Sequence, residues 1–195
     1  MIVQEVKACN LIIAADSGFD TLLRCGLIPD YVIGDMDSVT RKKELKKIDP
    51  QRVILHPPEK DDTDTDLAVM FAHGLGADTI VLVGGGGGRI DHLMGILSLF
   101  DREIHPQRWF TDKEILESVD GNIEVRGMAG TRVSFFPVGT EVCTMESSGL
   151  QWPLDPLTWK KGDAGISNVI TRDVMKVTMK TGRLLMVRDI ALGAE

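Results

Sequence analysis

The chain has 195 residues, of which 43% are hydrophobic and 26% charged, and it carries a net charge of −7. That length can bury a sizeable core in one large or two small domains, and that balance excludes wholesale disorder. The negative charge excludes a general nucleic-acid binder, which needs a basic surface to neutralise phosphates, so an anionic ligand calls for a local site.

In chain order, NLIIAADSG (residues 10–18) predicts a first strand, followed by a helix around residues 19–25 that Gly26 can cap. YVIGD (31–35) predicts a second strand, and RVILHPPE (52–59) a third that Pro57 and Pro58 stop. Beyond KDDTDTD (60–66), Leu67, Met70 and Phe71 fall at helical spacing, with Thr63 or Asp64 as N-cap and Gly74 past the end. TIVLVGGGGG (79–88) predicts a fourth strand running into a glycine loop. Ile90, Leu93, Met94, Leu97 and Phe100 then mark a second strong helix before Pro106.

From about residue 119 the texture changes to alternation, as in TRVSFFPVG (131–139) and DVMKVTMKTGRLLMV (173–187). Met175, Val177 and Met179 alternate with Lys176, Thr178 and Lys180, and Thr181-Gly182 predicts a hairpin turn. The expected fold is therefore an α/β domain with a parallel sheet over residues 1–118, followed by a smaller all-β sandwich over 119–195. Cys9, Cys25 and Cys143 match no metal or redox spacing and read as thiols of a reducing compartment, so a cytoplasmic location is expected. No apolar run approaches the roughly 18 residues of a membrane span, and MIVQEVKACN lacks a signal pattern, so membrane and export readings are set aside.

In an open parallel sheet, ligands bind at the carboxyl ends of the strands, and each predicted strand here ends in polar chemistry. Asp16 follows the first, Asp35 and Asp37 the second, Lys60 to Asp66 the third, and Gly84 to Asp91 the fourth; these clusters are expected to converge. If the chain stays extended past Gly34, Asp35 and Asp37 point to one face and repel, with Asp64 or Asp91 adding to the crowding. A divalent cation relieves this, and oxygen-only donors favour Mg²⁺. The alternatives are solvated carboxylates or an Asx-turn. The D-x-D pattern also occurs in haloacid dehalogenase-type phosphatases, although GGGGGRIDH has no role in them.

Lys60 is read as contacting a phosphate oxygen, the alternative being a surface lysine, and Asp62 and Asp66 are expected to face water. Glycines 84–88 allow backbone N–H groups to approach an anion beside the helix starting near Asp91, the alternative being a flexible turn. The stretch matches neither G-x-G-x-x-G nor a P-loop. Arg89 would clamp phosphate, Asp91 would hold metal or accept a proton, and His92 has a structural alternative.

Taken in order, AADSG (14–18), LIPDYVIGDMDSV (27–39), KDDTDTDLA (60–68), GGGGGRIDH (84–92), GLQWPL (149–154) and GISN (165–168) resemble the thiamine pyrophosphokinase family. The resemblance implies a nucleotide-binding α/β domain, a β-sandwich that binds thiamine and dimerises, and a homodimer. It implies Mg²⁺-dependent transfer of the pyrophosphoryl group of ATP to thiamine, releasing AMP. Asp35, Asp37 and Asp64 would serve the metal, with Arg89 and Asp91 completing the catalytic set. Asp16, Ser17, Gly18, Lys60, Thr63, Gly86, Gly87, Gly88 and His92 would face the nucleotide, and Trp152, Ser167 and Asn168 the thiamine. The alternative for Trp152, as for Trp159, is a core or interface role.

Three departures stand out. Only nine residues precede the segment matching NLIIAADSG, which implies a sheet one strand short of the family pattern. Ser17 replaces a frequent glycine, and Ile96 a common asparagine. The rival readings are a nucleotide- or thiamine-binding module without turnover and a Mg²⁺-dependent phosphatase using Asp35.

Overall fold

Three short parallel strands, β1 (Ile13–Ala15), β2 (Tyr31–Gly34) and β3 (Val53–Leu55), pair in the order β1-β2-β3. The computed structural model describes residues 2–190. Helix α1 (Ile2–Ala8) precedes the sheet and buries none of its residues. Helix α2 (Gly18–Arg24) joins β1 to β2, and α3 (Lys42–Leu45) with a 3-10 turn at Pro50–Arg52 joins β2 to β3. Val32 and Ile33 are both fully buried, as befits the central strand of a parallel sheet covered on both faces. One apolar cluster gathers Ala14, Phe19, Val32, Met36 and Val39, with Leu22, Leu45 and Ile48 against it.

Helix α4 (Asp64–Gly74) packs on β1 and β2. Its inner face differs from the expected Leu67, Met70 and Phe71: Asp66, Val69 and Ala72 are buried and Met70 is exposed. The helix start explains this. Thr63 Oγ1 accepts from the Asp66 N–H at 3.2 Å while Asp66 Oδ2 accepts from the Thr63 N–H at 3.0 Å, a reciprocal capping box. That turns Asp66, expected to face water, inward. Phe71 meets the Tyr31 ring edge-on, with centroids 5.0 Å apart.

The chain forms two compact units, Met1–Asp78 and Thr79–Glu195. The strand predicted at 79–83 is β4 (Val81–Val83), but it does not extend the first sheet. It pairs in parallel with β5 (Arg108–Phe110), the two linked by helix α5 (Ile90–Leu99). A parallel pair needs a crossover of a dozen or more residues, and the chain between β4 and β5 supplies one locally. The rest of this sheet comprises β6 (Glu114–Val119), β8 (Arg132–Val138), β11 (Gly165–Val169) and β13 (Arg183–Asp189), in the order β11-β8-β13-β6-β5-β4. A four-stranded antiparallel sheet takes β7 (Asn122–Arg126), β9 (Cys143–Ser148), β10 (Thr158–Trp159) and β12 (Val174–Thr181), in the order β10-β9-β12-β7. The packing boundary thus falls after Asp78, ahead of the change in side-chain period near residue 119.

Both sheets of the second unit contribute to one core: Val133, Phe135, Leu184 and Met186 from one, Cys143, Met145, Met175, Val177 and Met179 from the other. The opposite face of the six-stranded sheet places Trp109, Leu116, Val138 and Leu185 against Leu93, Ile96 and Leu97 of α5. Strand β13 is therefore apolar on both faces, whereas β12 alternates. The outward Lys176 pairs with Glu124 at 2.7 Å and Lys180 with Glu146 at 3.2 Å, marking a solvated face.

The expected Thr181-Gly182 hairpin is not formed, because β12 and β13 lie in different sheets. Gly182 makes that crossover at φ +69, where an added Cβ would lie 2.8 Å from Cys143 Sγ and from the Val142 carbonyl. Among the described residues, no helix is long and apolar enough to cross a membrane.

Candidate active site

The end of β2 carries GDMDS, and the backbone there is not extended. Met36 sits in the left-handed region at φ 62 with its side chain buried among Phe19 and Val39. The Asp37 N–H donates to Asp35 Oδ1 at 3.0 Å, an Asx-turn. The paired carboxylates thus arise from a kink with an apolar plug, and strand alternation plays no part in it. A left-handed non-glycine residue is costly and persists where its surroundings over-determine it.

Asp16, at the end of β1, joins them. Oxygens of Asp16, Asp35 and Asp37 all lie within 4.8 Å of one another. Ser38 ties the group together, its hydroxyl contacting both Asp16 Oδ2 and, at 2.8 Å, Asp37 Oδ1. Asp16 Oδ1 is buried with no hydrogen-bond partner. Three carboxylates with an orphaned oxygen, and no nitrogen or sulfur donor among them, fit a hard divalent cation such as Mg²⁺.

Asp64, expected among the metal ligands, stands outside this group but close to it. A Cβ added at Gly34, whose φ is +143, would lie 3.0 Å from the Asp64 carboxylate and 3.2 Å from Asp16 Cβ, so glycine lets both approach the strand end. Lys60 Nζ lies 3.1 Å from Asp64 Oδ1 and 3.3 Å from Asp35 Oδ2. The Asp64 contact is an ion pair without hydrogen-bond direction, since that oxygen accepts no bond. The Asp37 N–H, outweighing partial desolvation and aided by Lys60, holds the Asp35 carboxyl below the usual range. Partial desolvation would lower the Lys60 ammonium, but Asp64 and Asp35 together raise it. Thr63, expected at the nucleotide, directs its hydroxyl to Asp66 in the capping box. Ser17 is the exposed N-cap of α2 and makes no side-chain capping bond, and a Cβ at Gly18 would meet open space.

In the second unit, the glycine loop divides by what each residue must avoid. Gly84 and Gly85 have positive φ, and a Cβ at Gly85 or Gly86 would come within 2.6 Å of Ile96 or 2.7 Å of Thr111. Gly87 and Gly88 face open space. Trp109 Nε1 donates to the Gly84 carbonyl at 2.6 Å and anchors the loop to β5. Arg89 is the N-cap of α5 and pairs two-pronged with Asp91, whose carboxyl that guanidinium holds below its ordinary value. Both are largely exposed, as is His92, whose N–H donates to Asp91 Oδ1 at 3.0 Å.

The segments at 149–154 and 165–168 carry a further surprise. Asn168 is 5% exposed, and its amide is spent on the backbone: Nδ2 donates to the Trp152 carbonyl at 2.6 Å, and Oδ1 accepts from the Trp152 and Val169 N–H groups. It holds the loop that presents Trp152, a residue 55% exposed. Ser167, at φ 61 beside a bulge, donates its N–H to Ser134 Oγ at 3.1 Å, next to the exposed Ile166. Trp159 is a core residue. Sequence reasoning missed Ser38, although the Asp-Ser pair at 37–38 was a signal for it, and assigned Asp16 to the nucleotide rather than to the carboxylate group it joins, although its place after the first strand marked it for the same sheet edge.

Two family models match the chain. One described as "Thiamin pyrophosphokinase, catalytic domain" matches residues 2–108, and one described as "Thiamin pyrophosphokinase, vitamin B1 binding domain" matches residues 122–184. Thiamine pyrophosphokinase of Bacillus subtilis (strain 168) is 31% identical over 188 residues, covering 92% of this chain and 87% of that protein. The crystal structure of thiamin pyrophosphokinase from Geobacillus thermodenitrificans aligns with TM-score 0.71 at 29% identity, covering 94% of this chain and 87% of that one. That of the Bacillus subtilis enzyme aligns with TM-score 0.75 at 27% identity over 92% of this chain and 87% of that one.

Proposed function

The chain belongs to the thiamin pyrophosphokinase family, and from that premise we propose that it transfers the pyrophosphoryl group of ATP to the hydroxyl of thiamine, giving thiamine diphosphate and AMP. The observation that carries the reading is the cluster of Asp16, Asp35 and Asp37 at adjoining strand ends, inside the segment matched by the catalytic-domain model.

Residues 1–118 then serve ATP and residues 119–195 serve thiamine. Asp16, Asp35 and Asp37 would hold Mg²⁺, with Asp64 beside them. The ion would neutralise these carboxylates and draw charge from the phosphate oxygens of ATP. In the first unit Lys60 would leave its carboxylate partners to meet a phosphate oxygen; in the second, Arg89 would do the same, and the open side of the loop at Gly87 and Gly88 offers backbone N–H groups to an anion. The thiamine hydroxyl oxygen attacks the β-phosphorus. The bond from that phosphorus to the oxygen bridging to the α-phosphorus breaks, and AMP leaves with that oxygen. The hydroxyl proton passes to a carboxylate, Asp64 or Asp91.

Trp152 offers an exposed aromatic face to the cationic thiazolium, held by Asn168. We further infer a homodimer, with thiamine held where subunits meet. A cytoplasmic location accords with the three free thiols of Cys9, Cys25 and Cys143.

The test is to incubate the protein with thiamine, ATP and Mg²⁺ and resolve the products. AMP and thiamine diphosphate in equal amounts are expected. ADP or free phosphate without AMP would overturn the reading and favour a phosphatase, and binding without turnover would favour a non-catalytic module.

A further inference from the structure

The loop from Asp35 to Arg41 carries two of the three clustered carboxylates and the serine that joins them to the third. Its near end is fixed by β2, which pairs with β1 and β3. Between its ends, Met36 and Val39 plug into the apolar cluster, leaving Asp37 and Ser38 outward. The Lys42 ammonium also donates to the Met36 carbonyl.

The far end depends on Asp20, an acid in α2 that is only 5% exposed. Its Oδ2 accepts from the Thr40 N–H at 2.8 Å and the Thr40 hydroxyl at 2.5 Å, and its Oδ1 accepts from the Arg41 N–H at 3.1 Å. A charged carboxylate is buried in a small apolar cluster only where fixed donors meet it, and here all three donors belong to the end of this loop. The same helix follows directly from Asp16 and Ser17. One short element therefore holds both the loop and the third carboxylate.

We propose that Asp20 is a positioning residue for the carboxylate cluster: it clamps Thr40 and Arg41 to α2 and so fixes Asp35, Asp37 and Ser38 relative to Asp16. This rests on the reading of those carboxylates as the Mg²⁺ ligands. Partners that orient ligands typically govern metal affinity by about 10- to 100-fold. Asp20 touches neither the three carboxylates nor Ser38 in any hydrogen bond, so its effect passes through the loop.

The experiment titrates the full-length protein with Mn²⁺ alone, following loss of the free-ion paramagnetic resonance signal, and records thermal unfolding of each variant. Asp20→Ala should bind Mn²⁺ at least about ten-fold more weakly than the wild type. Asp20→Asn, whose amide oxygen still accepts, should fall between the two. Thr40→Val removes one donor and changes no charge, and should weaken binding roughly three-fold, separating positioning from a through-space charge effect.

Turnover should follow the same split: a raised half-saturating Mg²⁺ concentration, with kcat largely recovered at saturation. Should Asp20→Ala fail to fold, the asparagine and valine variants carry the test. Lower thermal midpoints with wild-type Mn²⁺ affinity would reduce Asp20 to a stabilising residue and overturn the proposal. If the wild type does not bind Mn²⁺, or if Asp35→Asn binds it as the wild type does, the reading of the carboxylates fails first and the role of Asp20 with it.

Discussion

Met36 separates two like charges with a buried side chain and a left-handed backbone, and the chemistry of the strand end depends on that single residue. Sequence spacing pointed to the pair Asp35 and Asp37, but the Met36 kink was not legible, since methionine has no local preference for positive φ. Asp35 has the sharpest role. With its pair to Lys60 only partly buried, Asp35→Asn should leave the thermal midpoint within a few degrees while turnover falls by at least about a hundred-fold; unchanged turnover would remove it from the metal set. Asp20 is one source of acid sensitivity in the fold. Burial would raise its carboxyl, but the donors from Thr40 and Arg41 hold it below the ordinary value of about 3.9. A carboxyl depressed in the fold contributes stability in full above that ordinary value, and loses it as pH falls through the lower, folded one. Unfolding measured from about pH 5 down to about pH 2 should therefore lose stability more steeply in the wild type than in Asp20→Asn, and equal slopes would contradict the clamp.

Among the elements, the strands and helices with a clear local period were legible. Helix α4 has its cap at Thr63, α5 runs from Ile90, and β12 buries Met175, Val177 and Met179 while exposing Lys176 and Lys180. What each element packs against was less legible. Ile90 and Met94 fit the apolar stripe of α5 yet are exposed, because Leu93, Ile96 and Leu97 take the sheet-facing positions. Thr181-Gly182 has hairpin composition, but at this point the chain must pass from one sheet to the other. Both the positive φ of Gly182 and the closeness of the Val142 carbonyl forbid a side chain there. Gly182→Ala should cost at least about 2 kcal/mol in chemical denaturation, combining left-handed strain with overpacking against backbone. A loss below half a kcal/mol would mean that the crossover is loose.

For the whole molecule, the homodimer proposed from family membership is expected to give a sedimenting species of twice the 21.4 kDa chain mass, and full activity in a monomer would remove that proposal. The sequence alone determined the family, through six short motifs in one order, and the nature of each segment, because side-chain period and turn chemistry act over a few residues. It also determined that oxygen donors, rather than thiols or imidazoles, gather at the strand ends. Only the tertiary structure decided that β4 belongs with β5, that Asp16 completes the carboxylate group, that Asp66 and Asn168 are turned inward to hold backbone, and that Asp20 clamps a loop twenty residues away in the chain. The reason is physical: backbone hydrogen bonds are alike in every strand pair, so partner choice rests on long-range fit between faces. A buried polar side chain takes its partner from whatever distant backbone the fold brings within reach.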